Sequence, residues 1–180
     1  PYLETIGRFN KKILLSTGMS TLKEIKNVKK ILEKNGTESK NIIIMHCVSD
    51  YPTKSSDLNL RFINSLKKIS KIVGFSDHTL GYEASISAVV LGARYIEKHF
   101  TLNKLMKGPD HSMSLDVDEF KIFVQKIRTT EKLLGKDIKV ITNSERVLRR
   151  YARKSIIACK DIKKGDIFTK ENLTTILVQA

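Results

Sequence analysis

Cysteine is nearly absent from this 180-residue chain: there are two, Cys47 and Cys159. They are not spaced as metal-ligand pairs; one ends an apolar stretch and the other sits in a later β-like segment. Both are read as reduced, buried thiols. Long apolar runs are missing too. None approaches the roughly 20 residues that a bilayer span requires, and no basic start, apolar stretch and small-residue cleavage site marks a secretory signal. The expectation is a cytoplasmic protein with no membrane partner. Aromatic residues are 7% of the chain, and 19 acidic residues face 33 Lys and Arg, a formal charge of +14. That excess asks whether nucleic acid is the partner. No aromatics interleave with the basic residues to make a base-stacking platform, and the lysines spread over separate helical faces, among them Lys23, Lys26, Lys30, Lys67, Lys71 and Lys121. This is a solvated surface with a weak general attraction for anions, and nucleic acid is not expected. Arg146, Arg149, Arg150, Arg153 and Lys154 form the one dense basic run, read as a linker or subunit contact.

What is present is the composition of a soluble globular protein, 41% hydrophobic and 29% charged, which argues against disorder. The apolar pattern alternates between short continuous runs and helical spacing. Strands are predicted over residues 13–15, 41–46, 72–75 and 94–97. Helices are predicted over 21–34, 58–70, 82–91 and 116–134, the first opening with a capping-box sequence, Thr21-Leu22-Lys23-Glu24. The rhythm is lost over 136–152, read as a linker with a helical turn or two. From Lys154 onward short β segments are expected at 155–158 and 167–168 around a turn with Gly165 at its tip. With Pro1 in place of an initiating Met, the chain reads as part of something larger. Four tandem β/α units are half of the eight that close a barrel. Either they form an open doubly wound sheet, or they are the second half of a closed barrel.

All four strands end in polar residues at the same end. Strand one runs into Ser16-Thr17, strand two into His46-Cys47-Val48-Ser49-Asp50-Tyr51, strand three into Ser76-Asp77-His78-Thr79, and strand four into Glu97-Lys98-His99. Residues just beyond the carboxyl ends of parallel strands face a shared crevice. His78 and His99 are 21 positions apart, too far for one helix face, but neighbouring strands are only about 4.8 Å apart. Two imidazoles there can share a divalent ion and leave positions open for substrate; the competing reading is a pair of ordinary core or surface histidines. Ser16 and Thr17 are either turn-forming residues or contacts for a phosphate or carboxylate. Asp77 either orients the His78 ring or caps the next helix. In the loop after His99, Gly108-Pro109 turns the chain and presents Asp110, which could bind sugar hydroxyls, and His111, read as a surface or supporting residue.

The segments Leu15-Ser16-Thr17-Gly18-Met19-Ser20, His46-Cys47-Val48-Ser49-Asp50-Tyr51-Pro52-Thr53, Gly74-Phe75-Ser76-Asp77-His78-Thr79-Leu80-Gly81, Glu97-Lys98-His99-Phe100-Thr101-Leu102 and Gly108-Pro109-Asp110-His111 together resemble the sialic acid synthase family. This is the group of N-acetylneuraminate, legionaminate and pseudaminate synthases, and the order and approximate spacing of the five motifs agree with it. The resemblance covers essentially residues 1–175. Asp161-Ile162-Lys163-Lys164-Gly165 and Glu171-Asn172-Leu173 are similar to the start of the small antifreeze-like (SAF) domain that follows the barrel in that family. The resemblance implies an α/β fold, the C-terminal half of a (β/α)8 TIM barrel over 1–135, then a linker over 136–153 and a truncated, β-rich antifreeze-like domain over 154–180.

It further implies condensation of phosphoenolpyruvate with an N-acetylated hexosamine in its open aldehyde form, giving a nine-carbon 2-keto acid and phosphate. By the same resemblance His78 and His99 hold a divalent ion, manganese or else magnesium, that polarises the aldehyde. Glu97 joins them as a catalytic residue. Ser16 and Ser76 match phosphoenolpyruvate contacts, Ser49 stands where some relatives carry an asparagine with that role, and Tyr51 and Asp110 match sugar contacts. A homodimer is implied, the antifreeze-like domain reaching the partner's site. The first four strands of the family, with their phosphoenolpyruvate-binding lysines, have no counterpart here, so the 180-residue chain by itself is expected to be inactive. The family's Arg-Pro after Asn172-Leu173 is replaced by Thr174-Thr175-Ile176-Leu177-Val178-Gln179-Ala180, as a frameshift or truncated reading frame would produce. The alternatives are a noncatalytic split-gene or pseudogene remnant, another phosphoenolpyruvate-aldose condensing barrel, which the antifreeze-like segment disfavours, and a basic nucleic-acid-binding module, which would be retained on DNA with a steep salt dependence.

Overall fold

Ile42, Ile43, Ile44 and Met45 are each 1% exposed or less, the mark of a parallel strand covered on both faces. They belong to β2 (Ile42–Cys47), which lies between β1 (Ile13–Ser16) and β3 (Val73–Asp77), with β4 (Tyr95–Lys98) beyond. The computed structural model describes residues 1–177. All three pairings in this sheet are parallel and the spatial order is β1-β2-β3-β4. Each strand sits beside its successor, as in the wall of a β/α barrel. A doubly wound sheet would reverse direction at a switch point, and these strands have none. The four strands therefore form a parallel half-barrel sheet.

The connecting helices are α1 (Tyr2–Arg8), ahead of β1, and then α2 (Leu22–Lys34), α3 (Phe62–Leu66), α4 (Glu83–Val90) and α5 (Val117–Leu134). Thr21 and Glu24 close a reciprocal capping box on α2, and Asp116 and Glu119 close one on α5. In each, two backbone N–H groups that the helix itself cannot satisfy gain partners. The third helix is much shorter than residues 58–70. Asn59 takes a positive φ of 45°, and 3₁₀-type bonds such as Ile69 N–H to Leu66 O tighten the segment's end. Its apolar positions Leu58, Ile63 and Leu66 are nonetheless buried.

Strand alternation divides the sheet into two faces. Ile42, Ile44, Val73 and Phe75 pack with Ile25, Leu32, Ile63, Leu66, Ala84 and Ala88 into the core between sheet and helices. The other face is built in rows that follow the register. One row is Ser16, Met45, Gly74 and Tyr95. A Cβ on Gly74 would lie 2.8 Å from the Tyr95 carbonyl oxygen and 2.9 Å from Met45 Cγ, so only glycine allows those neighbours to close over it. The next row holds Cys47, Ser76 and Glu97.

Residues 136–180 form a second compact unit. The stretch read as a linker with a turn or two contains α6 (Asn143–Ala152), ten residues started by a Thr142/Glu145 capping box. β5 (Lys154–Ala158) pairs antiparallel with β6 (Leu173–Leu177). The expected strand at 167–168 is absent; β5 pairs instead with Leu173–Leu177, whose last four residues open the Thr174–Ala180 tail. The remainder of that tail, residues 178–180, lies outside the described residues. Cys159 is exposed, whereas Cys47 is buried as expected; both are free. No described helix is long and apolar enough to cross a membrane.

Candidate functional site

His78 and His99 follow directly on β3 and β4, which pair in register through Asp77 and Lys98. The two ring centroids are 5.3 Å apart at an interplanar angle of 70°. Tyr51, from the loop after β2, packs at a tilt on the His78 ring, 4.0 Å between centroids, and meets the His99 ring edge-on at 5.5 Å. Asp110 approaches from the loop after β4, its Oδ2 3.8 Å from His99 Nδ1. The strand-end argument therefore brings four of the expected residues together from four separate segments.

His78 is oriented by the backbone. Its Nδ1 lies 2.7 Å from the Val48 carbonyl oxygen, which can only accept, so the ring donates from Nδ1 and carries its lone pair on Nε2. A backbone carbonyl that holds one nitrogen of a histidine and leaves the other free is the usual support of a metal-ligating ring. Cys47 Sγ is 3.9 Å from the same Nδ1. Burial raises the Cys47 pKa, against hydrogen bonds from Ser76, Gly18 and Ser49 that favour the thiolate, so the group is held as a thiol. Among the described residues no three or more His, Cys, Asp or Glu side chains converge as a metal cluster. The residues present fit a divalent ion as a partial shell, two imidazoles of borderline softness with the remaining positions free for oxygen ligands.

One register row below, Ser76 Oγ donates to Glu97 Oε1 at 2.6 Å. Ser76 is 2% exposed and Glu97 is exposed, so the bond anchors a carboxylate that still reaches solvent. Ser49 is partly buried and stands against Gly18: a Cβ there would lie 2.0 Å from Ser49 Oγ and 3.3 Å from Cys47 Sγ. Ser16 is at the exposed end of β1, three strand spacings, roughly 14 Å, from β4, and is not gathered into the imidazole group. The Tyr51 pKa is raised, first by desolvation and then by the nearby Cys47, Asp110 and Glu97. Its phenol stays protonated and is a hydrogen-bond donor.

Several neighbouring residues have structural work. Thr17 donates from its hydroxyl to the Met45 carbonyl oxygen at 2.8 Å and is buried. His111 Nδ1 pairs with Thr101 Oγ1 at 2.7 Å inside its own loop. Asp77 neither orients the His78 ring nor caps α4: its oxygens are taken by Thr79, Ser85 and Lys98. The Val48 carbonyl and the Asp77–Lys98 pair are the parts that sequence reasoning missed. For the pair a signal existed, since opposite charges one step before each histidine fall at equivalent positions of adjacent strands.

A family model described as the NeuB family matches residues 1–139. The N,N'-diacetyllegionaminic acid synthase of Campylobacter jejuni is 49% identical over 176 residues, which is 97% of this chain and 53% of that protein. A pseudaminic acid synthase of Campylobacter jejuni is 40% identical over 176 residues, 97% of this chain and 50% of that protein. The crystal structure of an N-acetylneuraminic acid synthetase from Leptospira borgpetersenii, in complex with citrate, matches with a TM-score of 0.73 at 32% identity, over 83% of this chain and 52% of that one. The chain spans about half the length of the curated relatives it matches.

Proposed function

This chain belongs to the NeuB family, and from that premise we propose that it supplies the metal-binding half of the catalytic barrel of a nonulosonic acid synthase. The reaction joins phosphoenolpyruvate to the open aldehyde of an N-acetylated hexosamine and releases phosphate. The observation that carries this reading is the pair of strand-end imidazoles, 5.3 Å apart beside Tyr51, in a chain of this family.

His78 and His99 would hold a divalent ion, manganese or magnesium, which when bound supplies Lewis acidity toward an aldehyde oxygen. The Tyr51 phenol donates to the sugar and Asp110 accepts from its hydroxyls. The hydroxyls of Ser49 and Ser16 are neutral donors suited to the phosphate and carboxylate of phosphoenolpyruvate, and Ser76 would join them only by turning its proton away from Glu97. Carbon 3 of phosphoenolpyruvate forms the new bond to the aldehyde carbon, water adds at carbon 2, and the carbon–oxygen bond to phosphate breaks. Glu97, anchored by Ser76, accepts one proton of the adding water; that proton ends on the alkoxide left at the former aldehyde carbon, and the second proton leaves with phosphate. The segment from residue 154 onward is read as the beginning of an antifreeze-like domain, which in a homodimer would reach the partner's site.

The test is a chimera in which this chain replaces the 176 matching residues of the Campylobacter jejuni legionaminic acid synthase. It should release phosphate from phosphoenolpyruvate with that enzyme's sugar, and His78→Ala or His99→Ala should abolish the release. A folded chimera that releases none, beside an active parent, contradicts the reading. The 180-residue chain by itself should release no phosphate, and measurable nonulosonate synthesis by it would overturn the expectation that half a site is inactive.

A further inference from the structure

The ends of β3 and β4 carry an ion pair that the proposed chemistry leaves unused. Lys98 Nζ is 3.0 Å from Asp77 Oδ2, with the two side chains 2% and 0% exposed. The same Oδ2 accepts from Ser85 Oγ of α4 at 2.5 Å. Oδ1 accepts from the Thr79 N–H at 2.8 Å and from the Thr79 hydroxyl at 2.7 Å, and Lys98 Nζ also donates to the Thr79 carbonyl oxygen at 2.6 Å. Asp77 and Lys98 are register partners. Alternation turns them to the helix side of the sheet, in line with Phe75 and Ile96, away from Ser76 and Glu97.

Stability does not account for charges in that position. An ion pair taken out of water is often no more stabilising than apolar side chains of the same volume, and the residues beneath it on this face are apolar. What the pair does is geometric. His78 stands between Asp77 and Thr79, both held by these bonds, and its own carbonyl accepts from the Thr53 N–H at 2.9 Å. His99 follows directly on Lys98. Ser76–Glu97 ties the same two strands on the opposite face, one position earlier, so the backbone at the root of each imidazole is fixed from both sides.

We propose that Asp77 and Lys98 are positioning residues for the His78–His99 pair, their buried ion pair setting the separation and tilt of the two rings so that a divalent-cation site is formed before the cation arrives. The proposal rests on the reading of these rings as ligands of a divalent ion, and the experiment separates the two. In the 180-residue chain, Asp77→Leu/Lys98→Met removes both charges together and avoids leaving either one buried alone. Asp77→Asn is the milder second variant, should the double one fail to fold. Manganese binding is followed by electron paramagnetic resonance, folding by circular dichroism, and the imidazole tautomers of the metal-free protein by 15N NMR.

The expected result is a folded variant that binds manganese about 10- to 100-fold more weakly, the range for losing a residue that supports a metal ligand, with His78 no longer confined to the Nδ1–H tautomer. A folded variant with wild-type manganese affinity overturns the proposal. Should the unsubstituted chain bind no manganese, the ligand reading fails and the tautomer decides the positioning role: a redistributed His78 tautomer sustains it, and an unchanged one removes it.

Discussion

Ser76 Oγ and Glu97 Oε1 are joined by a 2.6 Å hydrogen bond between register partners of β3 and β4, one position before the residues that precede the two imidazoles. The bond holds a solvent-reaching carboxylate beside a buried hydroxyl. Ser76→Ala should cost about 1 kcal/mol of stability, the usual net worth of one hydrogen bond, measured by urea unfolding. In the active chimera it should also raise the KM for phosphoenolpyruvate. A loss of several kcal/mol would mean that Ser76 supports the fold more than the site.

Gly18 is kept small by Ser49. In Gly18→Ala the new methyl would fall 2.0 Å from Ser49 Oγ, which a serine side chain relieves by rotating. The expected outcome is a stability change within about 0.5 kcal/mol, as for changes that leave the core intact. In the chimera the KM for phosphoenolpyruvate should rise with little change in kcat. An unchanged KM would remove Ser49 from the phosphoenolpyruvate site.

Ile44 is fully buried in the middle of β2 and belongs to the core between sheet and helices. Ile44→Ala should destabilise the first unit by about 2 to 5 kcal/mol through lost apolar burial and the cavity left behind. Differential scanning calorimetry of the two proteins checks it.

His46 is 5% exposed and its Nε2 donates to the Leu58 carbonyl oxygen at 2.7 Å, with Phe62 and Phe75 against the ring. Burial lowers its pKa below the ordinary 6.5, outweighing the carbonyl that favours the charged ring. Above 6.5 the ring is neutral in both folded and unfolded chains, and its contribution is complete. As pH falls below 6.5 the unfolded chain takes up the proton first, so stability declines until the lower folded value is passed. Urea unfolding across this window should show the decline in the wild type and a shallower one in His46→Gln. Equal slopes would contradict the assignment.

Much of the first unit was legible because its local signals agree. The run Ile42-Ile43-Ile44-Met45 has no reading other than a buried segment, and the boxes at Thr21 and Asp116 mark where helices begin. Alternation past the strand ends was enough to bring His78 and His99 together. The carbonyl of Val48 that orients His78 depends on a loop conformation that strand alternation does not reveal, and the Asp77–Lys98 pair was missed although its opposite charges stand one step before each histidine. The shortness of α3 depends on the positive φ at Asn59, which no periodicity reveals. In the second unit α6 was underestimated although Thr142 and Glu145 carry the same capping signal as α2, because a dense basic sequence hid the helical spacing. β6 was missed because its partner among the described residues, β5, is distant in sequence. Cys159 was assigned to a core, but that unit leaves it exposed.

The central claim is that His78 and His99 act together as ligands of one divalent ion. It is tested most directly by titrating manganese into the 180-residue chain under electron paramagnetic resonance, beside His78→Ala and His99→Ala. The account predicts a single class of bound manganese in the unsubstituted chain, weakened at least about tenfold by either substitution, since each removes one of the two nitrogen ligands. Binding of equal strength in all three proteins would contradict it.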